Sequence, residues 1–108
     1  MAKDKPLPDH VYPCGVQFTV RLEHMDTSDY ADCDGHERAI RINPDPKKEK
    51  DQMQTLFHEY LHGIFHCTGL SEVMPSENNS GLEEALATAL EEHLFHLIDP
   101  KKMGKRRG

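Results

Sequence analysis

The segment His58-Glu59-Tyr60-Leu61-His62 combines two imidazoles and a carboxylate at a spacing that suits metal chemistry. On an α-helix, positions i and i+4 lie on one face, about 40° apart around the axis, so both imidazoles can converge on one ion. Glu59 lies about 100° from His58, too far round to be a third ligand but within reach of a water beside that ion. A catalytic zinc site uses three protein ligands and keeps one position open. We therefore predict two zinc ligands, His58 and His62, and one general base, Glu59.

His66 extends this row of histidines by one more helical turn. Residues 58 and 66 would have Cα atoms about 12 Å apart on a helix, close to the combined reach of two imidazoles. His66 therefore cannot be the third ligand, and we expect it to line the site or cap the helix end. The alternative is that the helix only carries a surface row of histidines.

The third ligand must come from elsewhere, and the last helix offers Glu83 and Glu84. Ser80 and Glu83 have the spacing of a capping box, which would occupy the Glu83 carboxylate. Glu84 points away from the leucine stripe of that helix, so helical geometry favours Glu84 over Glu83 as the ligand. Glu91 and Glu92 are interpreted as a solvated charged edge.

The elements that would position these residues follow from the apolar pattern. Alternation over residues 16–22 predicts a half-buried strand, and a second strand is expected at 37–43. The two would form an antiparallel pair, and no third strand is evident. The segment between them is polar and rich in turn-forming residues. The order β-β-α-α predicts an α+β fold.

Two helices follow the strands. Asp45 and Pro46 suit the start of the first helix, and Gly69 suits its end. Its predicted buried stripe is Met53, Leu56, Phe57, Tyr60, Leu61 and Ile64. Residues 71–79 are interpreted as a linker. The final helix is expected to bury Leu82, Ala85, Leu86, Ala89, Leu90, His93, Leu94 and Leu97.

Length and composition favour one soluble domain. The chain has 108 residues, of which 36% are hydrophobic and 30% charged, enough for one modest core. We expect a flexible N-terminal arm at residues 1–13, the domain at 14–100 and a basic, disordered tail at 101–108. The tail holds five of the thirteen basic residues and none of the nineteen acidic ones. The acidic body argues against a nucleic-acid-binding face, except for contacts made by the tail.

Cellular location is predicted from what the sequence lacks. No apolar run approaches the ~20 residues that span a bilayer, and no apolar stretch follows the first lysines, so we expect neither membrane span nor signal peptide. Three cysteines, Cys14, Cys33 and Cys67, form an odd set that argues against a disulfide scaffold. These features favour the cytoplasm.

The helix segment 55–66 and the segment Leu82-Glu83-Glu84-Ala85-Leu86-Ala87 resemble the gluzincin metallopeptidases, in particular ImmA/IrrE-type peptidases and their small phage and prophage relatives. The resemblance covers about residues 14–100. It implies a minimal zincin-like domain and a zinc metallopeptidase with Glu84 as third ligand. It also implies a protein or peptide substrate, with a regulatory protein as one candidate, laid along the strand at 38–43. Thr88 departs from the family, since some gluzincins have an aspartate there that orients a zinc histidine.

A second, overlapping set of residues is an alternative metal motif. His62 and His66, followed by Glu72 after a glycine turn, resemble the metal motif of bacterial endoribonucleases that mature ribosomal RNA. In those enzymes the last position is a histidine, so Glu72 departs from the pattern. A non-catalytic zinc-binding module that contacts a partner protein is a third alternative.

Overall fold

Four short strands and three α-helices are present in residues 7–23, 31–44, 49–73 and 81–105, which this computed structural model describes. The strands are β1 (His10–Val11), β2 (Phe18–Leu22), β3 (Ala31–Asp34) and β4 (Ala39–Ile42). The helices are α1 (Glu49–Cys67), α2 (Leu70–Val73) and α3 (Gly81–Leu94). Short 3-10 segments occupy Pro13–Gly15, Phe95–Leu97 and Pro100–Gly104. The predicted α+β class is confirmed.

The sheet is mixed, with strand order β1-β2-β4-β3. The predicted antiparallel pairing of the two main strands is wrong, because β2 and β4 run parallel with Thr19 opposite Ala39 and Leu22 opposite Ile42. After β2 the chain first forms β3 at the far edge of the sheet. It then turns back at residues 35–38, so that β4 enters between β2 and β3. Alternating polarity identifies a strand but carries no information about its direction.

Strands β3 and β1 are not predicted from the sequence, because β3 is polar and β1 has only two residues. Strand β3 reads Ala-Asp-Cys-Asp and was expected to be a turn-rich connection. It is held by antiparallel pairing with β4 and by an ion pair between Asp32 and Arg41 across the two strands. Strand β1 lies in the predicted N-terminal arm, yet Val11 is fully buried.

The folded unit extends beyond the predicted limits at residues 14 and 100. The backbone nitrogen of Tyr12 donates a hydrogen bond to the carbonyl of Met103, and the Met103 side chain is buried in the core. This contact joins the second half of the predicted arm to the first half of the predicted tail. Residues 1–6 and 106–108 lie outside the described residues.

Helix α1 buries its predicted stripe against the sheet. Leu56, Phe57 and Leu61 are buried, while the remaining predicted members Met53, Tyr60 and Ile64 are half-buried. Phe65 is a further buried residue of this helix. The sheet side of this core consists of Phe18, Ile40 and Ile42. Burial of this stripe fixes how α1 is rotated about its axis.

The predicted end of α1 is confirmed, since Gly69 has φ +84°, the left-handed conformation that closes helices. The predicted start at Asp45 and Pro46 lies outside the described residues. Part of the predicted linker at 71–79 belongs instead to the short helix α2. The described helices include none whose length and apolar content would allow it to cross a membrane.

Helix α3 does not bury the predicted stripe. Leu82, Leu86 and Leu97 are exposed, and among the described residues of α3 only Ala87 is fully buried. Leu90 and Leu94 pack at the margin of the core. The surface of α1 that α3 covers carries histidines, so α3 turns its polar face towards it.

Candidate metal centre

Three residues from two helices converge on one point. The Nε2 atom of His58 lies 3.1 Å from Oε2 of Glu84, and Nε2 of His62 lies 3.0 Å from Oε1 of the same carboxylate. Ligand atoms of all three residues lie within 4.8 Å of one another. The structure thus brings together the three residues that the sequence predicts as zinc ligands.

The donor set and its spacing fit zinc. Two imidazole nitrogens and one carboxylate oxygen are the three protein ligands that catalytic zinc sites commonly use. Tetrahedral ligands about 2.1 Å from an ion lie about 3.4 Å from one another. The observed separations of 3.0–3.3 Å between the histidine nitrogens and Glu84 are close to that value.

Glu59 lies beside the cluster but is not part of it. It is the buried charged residue of the described core, only 8% exposed. Burial raises the pKa of Glu59 to about 7, although the neighbouring His62 and His58 act in the opposite direction. A carboxyl group with a pKa near neutrality can take up and release a proton at neutral pH. Its position and environment therefore suit the predicted role of general base.

These residues share one open cavity of about 550 Å³. Its walls come from strand β3 and from helices α1 and α3. The lining residues are Ala31, Asp32, Cys33, Thr55, His58, Glu59, His62, His66, Glu83, Glu84 and Glu91. A cavity of this size can take a few residues of a peptide.

The second nitrogen of each histidine contacts another carboxylate of α3. Nδ1 of His58 lies 2.9 Å from Oε1 of Glu91, and Nδ1 of His62 lies 2.6 Å from Oε2 of Glu83. The interpretation of Glu91 as a solvated edge is therefore wrong, whereas Glu92 is exposed. The sequence does contain a signal, because Glu84 and Glu91 are seven residues apart and so share one face of a helix.

The proximity of opposite charges changes two pKa values in this cluster. Burial works against a charged His58, but the hydrogen bond that Glu91 accepts from it and the charge of Glu84 outweigh burial and raise the pKa of His58. For Glu84, burial again opposes the charged form. The charge of His58 and hydrogen bonds with both histidines dominate and lower the pKa of Glu84. Hydrogen bonds between the two histidines and the carboxylates of α3 thus connect the two helices at this cluster.

Strand β3 forms the sheet edge beside the cavity, with Ala31, Asp32 and Cys33 in the lining. The prediction that residues 38–43 form this edge is wrong, because β4 lies between β2 and β3. Burial, followed by the nearby charges of Glu59 and Asp32, raises the pKa of the Cys33 thiol to about 12. Cys33 is thus an inert, protonated thiol in the cavity wall rather than a nucleophile.

His66 lines the cavity, as expected. Its imidazole ring lies close to the turn after β3. A Cβ atom on Gly35 would overlap the imidazole ring of His66, so a larger residue here would displace that ring. The alternative metal motif does not form, because within the described ranges Glu72 does not join a metal-ligating cluster with His62 and His66.

No protein-family model, curated protein or solved structure matches this chain. The resemblance to the gluzincins therefore depends on the motifs alone.

Proposed function

We propose that this chain is a zinc-dependent metallopeptidase of gluzincin type. The observation that carries the proposal is the convergence of His58, His62 and Glu84, with buried Glu59 in the same cavity. A purely structural zinc site would have four protein ligands and no open side. Three ligands at the wall of an open cavity favour catalysis instead.

When bound, zinc would supply a Lewis acid that polarises a carbonyl group and makes a water molecule more acidic. The chain's own contribution is proton transfer by Glu59. Its carboxylate accepts the proton of the attacking water and then delivers that proton to the departing amine. Glu59 is placed for both steps because it lines the same cavity as the three ligands.

The edge of the sheet supports a peptide as the substrate. Among the described residues strand β3 pairs only with β4, so its other side can hydrogen-bond an extended peptide beside the three ligands. The proposed substrate is therefore a protein segment in extended form, with a regulatory protein as one candidate. The free cysteines Cys14, Cys33 and Cys67 favour the cytoplasm as the site of action.

Three variants of the full chain test this function, with zinc content and cleavage of an unstructured peptide library as the measurements. Glu59→Gln should keep zinc and lose hydrolysis by at least 100-fold, as expected for a general base. Glu84→Ala should lose both zinc and hydrolysis. The matched control Glu92→Gln removes an exposed carboxylate of the same helix and should change neither. Wild-type protein that binds zinc but cuts no peptide would contradict the peptidase and support the binding module.

A further inference from the structure

Each histidine of the metal cluster is contacted by carboxylates on both of its nitrogens. The Nε2 atoms of His58 and His62 share a single partner, Glu84. The Nδ1 atoms have separate partners, Glu91 for His58 and Glu83 for His62. Only the shared side can hold one ion between both histidines, so the Nδ1 side must keep its hydrogen bonds when the ion binds.

We propose that Glu83 and Glu91 are positioning residues that hold both histidines with Nδ1 protonated and Nε2 directed at the metal. This inference rests on the proposed zinc site. An ionised carboxylate can only accept a hydrogen bond, so the nitrogen facing it is the donor. A neutral imidazole with its proton on Nδ1 has its free electron pair on Nε2. In the structure that nitrogen hydrogen-bonds Glu84, and an ion bound between the two Nε2 atoms and Glu84 would replace this hydrogen bond.

The carboxylate of Glu91 is itself fixed. Its second oxygen accepts a hydrogen bond of 2.6 Å from the side-chain amide of Gln54, which lies one turn before His58 on α1. Gln54, Glu91 and His58 thus form a continuous chain from α1 to α3 and back. The side chains of Glu91 and Glu83 are 17% and 21% exposed, so water competes little for these contacts.

The arrangement also explains why α3 turns carboxylates inward. Glu83, Glu84 and Glu91 each contact a histidine of α1, and one helix therefore supplies both the third ligand and both positioning groups. Thr88, at the position where some gluzincins carry the orienting aspartate, is not needed for that role here. Partners of this kind commonly change metal affinity 10–100-fold when removed.

Zinc affinity of the full chain, measured by competition with a chelator, tests the positioning role. Glu91→Ala and Glu83→Ala should each weaken zinc binding about 10–100-fold. Glu91→Gln and Glu83→Gln keep an acceptor oxygen and should recover part of that loss. The control Glu92→Ala removes the same charge from the exposed side and should change affinity less than twofold. Losses as small as that of the control would overturn the proposal.

A second measurement does not depend on zinc. Long-range ¹H–¹⁵N spectra of the metal-free protein at pH 8 should show Nδ1 protonated in both His58 and His62. In Glu91→Ala, Nδ1 of His58 alone should lose its proton, since Glu84 still accepts from Nε2 of that ring. In Glu83→Ala, Nδ1 of His62 alone should lose its proton for the same reason. Wild-type protein without zinc affinity would contradict the proposed function, and these spectra would then decide the positioning role. Unchanged tautomers in both variants would refute it.

Discussion

Helix α1 buries the apolar face that its sequence predicts, whereas helix α3 buries carboxylates and leaves leucines exposed. On α1, Leu56 is fully buried between sheet and helix. On α3, Leu82 is 53% exposed while Glu83 and Glu91 contact the histidines of α1. The hydrophobic core therefore orients α1, whereas α3 contacts both the core, through Ala87, and the proposed metal centre, through its glutamates.

This difference shows where an amphipathic pattern stops being informative. The pattern assumes that the core decides which face of a helix is buried. That assumption holds for α1, which packs on the sheet. It fails for α3, whose glutamates hydrogen-bond the histidines of α1 while Leu82 and Leu86 stay exposed.

Replacing a leucine in each helix gives the largest expected contrast. Leu56→Ala should lower the free energy of unfolding by about 2–5 kcal/mol, since it removes a fully buried side chain and leaves a cavity. The same change in α3, Leu82→Ala, should cost less than about 1 kcal/mol because that side chain is mostly exposed. Urea denaturation of both variants measures the difference. Equal losses would mean that α3 also depends on apolar burial.

How far the sequence predicts the site follows from the same contrast. His58, His62 and Glu59 are predicted from local helical spacing, which tertiary packing cannot change. Glu84 is predicted because it lies opposite the leucine stripe, and this relation holds even though the stripe faces outward. Glu91 is missed because its role depends on how two helices meet.

The sheet shows the same limit. The strands at Phe18–Leu22 and Ala39–Ile42 are predicted from their own alternation. Their parallel direction is not, because it depends on β3, a polar strand stabilised by pairing with β4. The existence of these two strands is thus predicted from sequence, whereas the direction in which they pair is not.

Removing zinc should affect α3 more than α1. Zinc at 100 times its dissociation constant should stabilise the chain by about 2.7 kcal/mol. Because α3 depends on the cluster, addition of a chelator should speed amide hydrogen exchange in α3 at residues 83–91. Exchange at residues 56–61 of α1 should change little. Glu84→Ala should show fast exchange in α3 with or without zinc. Equal changes of exchange in both helices would contradict the expectation that α3 depends on the metal cluster more than α1 does.

Glu59 differs from the other buried residues of α1 because its side chain can ionise. Its burial should therefore make the stability of the protein depend on pH. Burial raises its pKa from 4.5 to about 7, so between these values the folded chain holds a proton that the unfolded chain has released. Stability of the metal-free protein therefore falls as the pH rises from 4.5 to 7. The glutamine of Glu59→Gln stays neutral at every pH. The free energy of unfolding of this variant should therefore exceed that of the wild type by on the order of 1–3 kcal/mol at pH 8 and by little at pH 5.

Thermal unfolding of both proteins in chelator at the two pH values measures this effect. Glu92→Gln removes an exposed carboxylate and should follow the wild type at both. A Glu59→Gln gain that is the same at pH 5 and pH 8 would show that packing, rather than the buried charge, is responsible.

The outer face of α3 provides the smallest effect and the sharpest check of its orientation. Leu86→Gln places a polar side chain where the structure has a partly exposed leucine, so we expect a change in unfolding free energy within about 0.5 kcal/mol. Were the leucines buried, as the apolar pattern predicts, the same change would cost several kcal/mol, since an unpaired amide would enter the core. Leu61→Gln is the matched control, because Leu61 is buried on α1. Urea denaturation of the pair therefore reports directly which face each helix turns inward.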